Sequence, residues 1–462
     1  MEEKVSFAKI VNSSQSGAAG AIIYLFRRLM LEDAGVLSLP LSHKSRRHLK
    51  PNLFLFFALF LLASSGLCAQ EGDFDRWFDG RTLRLDCLRE GSAEGDTVWV
   101  ERWRDRGSQW HGSRNQLLDP FNNGDYRVEM RDAATGRLIY SRGYNTLFGE
   151  YRNTPEGQSE RRRFQETLLL PMPRRAVHIA LQKRDTTLRL ANATVMKFDP
   201  AELDECSEYS EYSEYSEPFP VSALSGDPSR KVDMVFVMQG YAAADTQCRA
   251  DARRIADGLF SHEPFSSHRD DFNLYAVVAD VGADYGTFGA DRYLMTFDLW
   301  RLHDAVGTTP CDYIVIVVND ARYGGGAIYN FYATTSLNRQ AEFVLPHELG
   351  HAIGGLADEY VDESLSYGEM HRMSREPLEP NITNLVDFAS KWQSLLPPGT
   401  PVPTPVPSVP RNECGPLGVY EGAGYAPKGI YRPTPHCMMR DYAPFCPVCS
   451  RRLEEVFSYH CK

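Results

Sequence analysis

The segment from His347 to His351, with the sequence HELGH, restricts the fold of this chain more than any other, because its chemistry requires a helix. Residues four apart lie on one helical face with Cβ atoms about 5–6 Å apart, so the two imidazoles can bind one metal ion. Glu348 lies within reach of a water on that metal and can act as its general base. A catalytic zinc takes three protein ligands and keeps one position for water. The segment therefore predicts a zinc hydrolase, with a helix over residues 341–356.

The third ligand of such a site is predicted just beyond this helix. Gly354 and Gly355 can end the helix and turn the chain back, which would bring Asp358 or Glu359 to the metal. Both side chains offer an oxygen ligand that suits zinc. We favour Asp358 and keep Glu359 as the alternative; the acid that does not bind the metal is expected to orient a histidine.

Length and charge limit the organisation of the chain and its partners. The 462 residues predict more than one domain, at roughly 100–200 residues for each. The formal net charge of -11 argues against nucleic acid as the main partner.

Residues 1–69 are interpreted as an N-terminal extension that carries a signal or anchor segment. A basic stretch from Lys44 to Lys50 precedes an apolar run over residues 53–62, and small residues follow the run. This order is typical of a secretory signal, and the run is short against the about 20 residues of a transmembrane helix. We predict that residues 44–69 export the protein, which is then secreted, periplasmic or held at the cell surface. A type II membrane anchor in the same segment is the alternative.

The remaining sequence changes pattern twice. Residues 73–200 contain short alternating strands with turn signals, which predicts an all-β sandwich. Residues 201–229 contain an acidic Ser-Glu-Tyr repeat whose period of three fits neither a helix nor a strand, so a solvated linker is predicted. Residues 230–462 combine apolar strands with helical stretches, which predicts an α/β (α+β) domain with internal parallel strands.

Three glycines, Gly324 to Gly326, precede an apolar run over residues 327–334. No Lys-Ser/Thr pair follows them, so a phosphate-binding loop is a poor interpretation. We predict a turn that leads into an edge strand beside the zinc helix. On that strand Tyr329, Asn330 and Phe331 would pair with an extended peptide substrate.

Two pairs of residues near the C-terminus have alternative interpretations. Met438 and Met439 are either a hydrophobic floor beneath the metal site or ordinary core residues. Tyr431 and Tyr442 are either oxyanion stabilisers or packing residues.

Five of the 10 cysteines cluster near the C-terminus, between residues 414 and 461. The pair in Cys446-Pro-Val-Cys449 matches half of a structural zinc motif, but the chain has no second CxxC. Because an exported chain enters an oxidising compartment, we expect disulfides or free buried thiols in place of a structural metal.

In combination these motifs resemble the IgA peptidase family of zinc metallopeptidases. The stretch HELGHAIGGLADEY, from His347 to Tyr360, is similar to the family's signature. The blocks similar to the family's C-terminal motifs are EGAGYAPKGIYRP (421–433), CMMR (437–440) and FCPVC (445–449). Residues from about 74 to 200 resemble the β-rich N-terminal domain of Bacteroides-type members.

The resemblance implies a metzincin-like catalytic domain. It implies His347 and His351 as zinc ligands, Glu348 as the base and Met439 as the Met-turn residue. The chain departs from the commoner metzincin pattern, which has a third histidine ten residues after the first. Here that position is Ala357, and the two acids follow it.

The sequence thus predicts an exported zinc-dependent endopeptidase that uses Zn²⁺ and acts on a protein or peptide, with host glycoproteins or immunoglobulins in the implied substrate class. The alternative is a catalytically weak binding or adhesion protein whose β-sandwich recognises a host glycoprotein or glycan. A third interpretation is a structural zinc protein. The intact Glu348 argues against the second, and an open metal position argues against the third.

Overall fold

The structure is a computed structural model that describes residues 73–203, 215–223, 226–242, 245–362 and 373–462. The predicted signal or anchor segment and most of the Ser-Glu-Tyr repeat lie outside these residues. In the described ranges, no helix has both the length and the apolar character needed to cross a bilayer. All of these ranges belong to one compact unit.

The described residues before 200 are mainly β-structure. Their strands and helices are β1 (Phe78–Ser92), β2 (Gly95–Gln109), β3 (Tyr126–Asp132), β4 (Leu138–Tyr144), β5 (Arg162–Pro173), β6 (Val177–Arg184), β7 (Leu190–Phe198), α1 (Phe74–Trp77), α2 (Leu147–Tyr151) and α3 (Pro155–Ser159). They form two antiparallel sheets, with the strand orders β2-β1-β5 and β4-β3-β6-β7. We call these residues the N-terminal β region.

Both faces of β1 are buried, although its alternating sequence suggests one polar, solvated face. Leu83 and Leu85 point into the hydrophobic core on one side. On the other side the buried Arg84 pairs with Asp86, with Nε and Oδ1 2.7 Å apart, and with Asp304 of the later chain. Because buried charges need partners, these ion pairs hold the sheet against the rest of the molecule.

A six-stranded sheet forms the centre of the second part. Its strands are β8 (Phe219–Pro220), β9 (Val232–Gln239), β10 (Phe272–Val278), β11 (Tyr313–Val318), β12 (Gly325–Ile328) and β13 (Tyr332–Ser336). The order is β12-β13-β11-β9-β10-β8; the four inner strands are parallel, and β12 and β8 are antiparallel edges. The predicted internal parallel strands are confirmed. β8 lies inside residues 201–229, the segment predicted as a linker.

Helices and the N-terminal β region cover this sheet. The later elements are α4 (Thr246–Leu259), α5 (Leu299–Val306), α6 (Ala341–Gly354), β14 (Tyr420–Ala423), β15 (Ala426–Arg432), α7 (Met438–Asp441) and α8 (Pro447–Cys461). Side chains alternate along a strand, so Met234 and Phe236 of β9 pack with α4, α6 and α8. Val235 and Val237 pack instead with α5 and the N-terminal β region. One hydrophobic core therefore continues from the first sheets into the central sheet.

The prediction of a single edge strand over residues 327–334 is wrong. Tyr329, Asn330 and Phe331 form the turn between β12 and β13, and the edge strand is β12 itself. Asn330 has a φ of 53°, a left-handed conformation that asparagine tolerates and that reverses the chain.

This turn contacts the N-terminal β region rather than an open sheet edge. The amide of Asn145 donates to the carbonyl of Tyr329 at 3.0 Å, and Asn330 Nδ2 donates to the carbonyl of Gly143 at 2.7 Å. Asn330 and Phe331 are therefore held in place by the fold and are not free to pair with a peptide.

Candidate metal centre

Helix α6 places the two histidines of the HELGH segment side by side. The Nε2 atoms of His347 and His351 are 3.2 Å apart. The helix ends at Gly354, two residues earlier than predicted, and Gly355 takes the left-handed conformation with a φ of 59°. This glycine turns the chain back toward the histidines, as the sequence predicts.

Backbone carbonyls fix the orientation of both imidazoles. His347 Nδ1 lies 2.9 Å from the carbonyl oxygen of Met438, and His351 Nδ1 lies 2.6 Å from that of Leu356. A carbonyl oxygen only accepts, so each Nδ1 carries the proton. In the neutral form this tautomer leaves the lone pair on Nε2, which is the atom that would bind a metal.

Asp358 completes a group of three converging ligand atoms. Its Oδ1 lies 3.1 Å from His347 Nε2 and 3.4 Å from His351 Nε2. Its Oδ2 accepts a hydrogen bond from the hydroxyl of Tyr425. Among the described residues no hydrogen-bond donor satisfies the buried Oδ1. The structure therefore brings together His347, His351 and Asp358, and the three atoms fit around a cation.

Electrostatics agree with a cation at this point. Burial alone would lower the pKa of His351, but the negative charge of the neighbouring Asp358 carboxylate raises that pKa to about 9. Burial alone would raise the pKa of Asp358, but His351 and His347 hold it well below its ordinary value. The cluster thus requires a positive charge, supplied either by a proton or by a metal.

Glu359, the alternative third ligand, lies in different surroundings. Its side chain is fully buried, and its Oε1 accepts a hydrogen bond from Asn381 Nδ2 at 2.9 Å. The same oxygen is 3.3 Å from Cys449 Sγ. Glu359 therefore faces a cysteine cluster and not the imidazoles, so it does not play the predicted alternative part of orienting a histidine.

Glu348 reaches the cleft beside β12. A Cβ added at Gly325 would lie only 2.8 Å from Glu348 Oε1, so the edge strand needs glycine here in order to pass over the carboxylate. Burial raises the pKa of Glu348, while the two histidines partly oppose the rise. A raised pKa makes this carboxylate a stronger proton acceptor, which is the property that a general base needs.

Met438 and Met439 lie beneath the histidine-bearing helix. Both side chains are fully buried, and a Cβ added at Gly350 would collide with Met439 Sδ. Met438 contributes the carbonyl that orients His347. The two methionines are thus core residues that also pack beneath the helix that carries the histidines. The two interpretations, a hydrophobic floor and ordinary core, therefore both describe them.

A cleft of about 740 Å³ opens onto this group. On the side of α6 and of the segment that follows it, the cleft is lined by His347, Glu348, His351 and Asp358. All four residues of β12 also line it. Its opposite wall comes from the N-terminal β region, through Asn123, Asn145, Glu150, Asn153 and Thr154. Of the predicted substrate residues only Tyr329 reaches the cleft.

Several cleft residues carry no strong sequence signal. Arg292 Nη2 donates to the hydroxyl of Tyr360 at 3.0 Å. The ring of Tyr442 lies edge-on to His347, with centroids 5.9 Å apart, and its hydroxyl pairs with that of Tyr323. Tyr360 stands in the signature-like stretch and could have been found there; Arg292 and Tyr323 are distant in sequence.

The two tyrosines with alternative interpretations separate in the structure. Tyr442 lines the cleft beside His347, where its hydroxyl can serve a reacting group. Tyr431 lies in β15, where its amide donates to the carbonyl of Thr383 at 2.8 Å, and it is not part of the cleft lining. Packing is therefore the better interpretation of Tyr431.

Two family models match this chain. The model described as Peptidase M64 N-terminus matches residues 73–194. The model described as IgA Peptidase M64 matches residues 222–281, 278–414 and 410–457, which together span more than half of the chain. A search of curated proteins finds no match.

Proposed function

The chain belongs to the IgA Peptidase M64 family, a family of metallopeptidases, and from this premise we propose that it is an exported zinc-dependent endopeptidase. The chain is a peptidase, and its substrate is a protein or peptide. The observation that carries the zinc assignment is the convergence of two imidazole Nε2 atoms and Asp358 Oδ1 on the floor of the cleft.

His347, His351 and Asp358 would hold the metal. Two imidazoles and one carboxylate are a donor set typical of catalytic zinc, and the cleft leaves a position for water and substrate. The carbonyls of Met438 and Leu356 and the hydroxyl of Tyr425 keep the three ligands in place. Bound zinc would polarise the scissile carbonyl and lower the pKa of a water molecule.

Glu348 handles the proton in this mechanism. Its carboxylate accepts a proton from the attacking water and then delivers it to the leaving amine. Burial raises its pKa, which makes the carboxylate a stronger acceptor for the proton of the attacking water. Arg292, Tyr360 and Tyr442 offer donors on the cleft wall for the oxygen that becomes negative in the transition state.

The substrate backbone would lie along β12. This strand is an antiparallel edge of the central sheet, and all of it lines the cleft. Tyr293 already pairs with Gly325 at one end, which leaves Gly326, Ala327 and Ile328 for an extended peptide. The proposal names the class of bond and not a particular protein, because kinship in fold does not carry specificity.

Two finer features of the fold belong to this proposal. The arrangement of α6 over Met439 is taken as metzincin-like, with Met439 as the Met-turn residue. The two antiparallel sheets of the N-terminal β region are taken as an accessory sandwich. Because this region supplies one wall of the cleft, a role in shaping the substrate site is better supported than an independent binding or adhesion function.

Export is proposed from residues 44–69, which lie outside the described part of the chain. A basic segment followed by a short apolar run supports a cleaved signal. N-terminal sequencing of the protein recovered outside the cytoplasm should give a start near residue 70. A full-length N-terminus in the membrane fraction would instead support the type II anchor.

Cleavage of a broad peptide library by the zinc-loaded protein tests the proposed activity. We expect internal cleavage that a chelator abolishes and added zinc restores. Glu348→Gln should bind zinc normally and lose about 10²–10⁴-fold in rate. Glu342→Gln, an exposed acid on the same helix, is the matched control and should cleave like the wild type. A zinc-loaded wild type that cleaves nothing, or a fully active Glu348→Gln, would overturn the proposal.

A further inference from the structure

We propose a second metal site in this protein: a closed, structural zinc site formed by Cys437, Cys446, Cys449 and Glu359. It lies behind the cleft, on the opposite side of the segment that carries Asp358. The inference rests on the geometry of these four side chains and is independent of the proposed peptidase mechanism.

The spacing of the four side chains fits tetrahedral zinc. One ligand atom from each residue lies within 4.8 Å of all the others. Cys437 Sγ and Cys449 Sγ are 3.7 Å apart, and Cys449 Sγ is 3.3 Å from Glu359 Oε1. With zinc–sulfur and zinc–oxygen bonds of about 2.3 and 2.0 Å, a tetrahedral site places two sulfurs about 3.8 Å apart and a sulfur and an oxygen about 3.5 Å apart.

Burial gives the second reason for a cation here. All four side chains are fully buried. Asn381 satisfies one oxygen of Glu359, but among the described residues no hydrogen-bond partner satisfies its Oε2. A buried carboxylate is costly unless a positive charge or hydrogen bonds compensate it. A zinc ion among the three sulfur atoms would supply that charge.

The sulfur atoms are free to bind a metal. The eight cysteines in the described residues form no disulfide. Cys446 occupies the N-cap position of α8, and its amide donates to Cys437 Sγ at 3.4 Å. Zinc binds cysteine as the thiolate, so binding at this site would release the thiol protons.

The site would hold together three segments that also build the catalytic cluster. Glu359 is the neighbour of Asp358, and its amide donates to the carbonyl of Met439 at 2.8 Å. Cys437 precedes Met438, whose carbonyl orients His347. Cys446 and Cys449 begin α8, which packs against α6. A metal at this point fixes the third ligand and one histidine of the open site from behind.

Cobalt substitution combined with metal analysis tests this proposal, with Co²⁺ and Zn²⁺ as the probes. The wild type should bind two zinc ions per chain. Its cobalt form should show the intense thiolate-to-cobalt charge-transfer absorption that nitrogen and oxygen ligands alone do not give. The double variant His347→Ala/His351→Ala should keep one zinc and the whole of this absorption. Cys446→Ser should lose the absorption and keep the other metal, and Cys414→Ser, a neighbouring half-buried cysteine outside the cluster, should behave as the wild type.

Thiol counting keeps the test decisive if the Cys446→Ser variant does not fold. In the denatured, chelator-treated wild type, Cys437, Cys446 and Cys449 should all react as free thiols. A wild-type cobalt form without charge-transfer absorption would overturn the proposal. A Cys437–Cys449 disulfide in the purified protein would overturn it equally. A wild-type protein that shows the charge-transfer absorption in its cobalt form but cleaves no peptide would count against the proposed function and not against the cysteine site.

Discussion

Asp358 and Glu359 are adjacent in sequence but lie in contrasting surroundings. Asp358 faces two half-buried imidazoles at the floor of an open cleft. Glu359 faces three cysteines in a fully buried cluster. Catalytic zinc sites keep one position open, whereas structural sites are closed by four protein ligands. The contrast indicates that the proposed catalytic and structural roles of these two acids depend on access to the cleft and not on the type of acid.

Substitution of one acid at a time should have the largest effect, because each variant should lose the metal of one site and keep that of the other. Asp358→Ala should lose zinc from the histidine site and reduce kcat/KM by at least about 10³-fold, because several kcal/mol of transition-state stabilisation depend on the metal. The cysteine site should stay filled. Glu359→Ala is the matched variant: it should lose the cysteine-site metal and retain the histidine pair. Metal analysis should show one ion lost in each variant, and the thiolate-to-cobalt absorption of the cobalt forms tells which site is empty. Loss of metal from the same site in both variants would contradict separate sites.

Tyr425→Phe tests whether Asp358 is held in position from behind. The substitution removes the hydroxyl that donates to Asp358 Oδ2 and leaves the ring in place. Loss of such a supporting hydrogen bond should weaken zinc binding at the histidine site about 10–100-fold. Competition with a chelator of known affinity measures the change. Tyr431→Phe, a tyrosine outside the cleft, is the control, and an unchanged affinity in Tyr425→Phe would show that Asp358 needs no support.

Gly350→Ala probes the packing between α6 and the methionine floor. The added Cβ would collide with Met439 Sδ, so the methionine or the helix must shift. Overpacking of this kind costs about 1–3 kcal/mol. Chemical denaturation should show that loss in the free energy of unfolding, and zinc affinity should fall with it. Full stability would mean that Met439 repacks freely and does not define the floor.

Glu150→Gln extends the comparison to an acid of the cleft that is not among the proposed metal ligands. Burial raises the pKa of Glu150 to about 7, although the Tyr293 hydroxyl and His351 oppose the rise. Near pH 4 the group is protonated in both the folded and unfolded states. As the pH rises through 4.5 to 7, ionisation favours the unfolded chain, so wild-type stability is lost over that window.

The glutamine variant lacks this ionisation and should therefore be more stable than the wild type at pH 8. Allowing for solvent screening, the gain should be about 1–2 kcal/mol, and it should vanish near pH 4. Denaturant unfolding at the two pH values measures it. Equal stability of the two proteins at pH 8 would show that Glu150 ionises without cost.

The sequence predicted those features that depend on local pattern. The α6 helix follows from apolar residues around the two histidines, and β9, β10 and β11 follow from continuous apolar runs. The turn after the helix follows from Gly354 and Gly355. In each case the signal lies within about one element, so no knowledge of distant contacts is needed.

Features that depend on distant contacts could not be predicted. Asn330 turns one predicted strand into a hairpin because its left-handed conformation is stabilised by the N-terminal β region, almost 190 residues earlier in the chain. Glu150 belongs to the same N-terminal β region and lines the cleft, almost 200 residues before the histidines in the chain. The cysteine cluster was missed because a CxxC was expected to need a second one, whereas its other ligand atoms come from Glu359 and Cys437.

Diffraction from zinc-loaded crystals at the zinc absorption edge tests the proposed metal centre most directly. An anomalous peak between His347 Nε2, His351 Nε2 and Asp358 Oδ1 is expected at the floor of the cleft, with a second peak among Cys437, Cys446, Cys449 and Glu359. No peak at the two imidazoles, or a peak there bounded by Glu359 in place of Asp358, would contradict the assignment of this cleft as a zinc peptidase site.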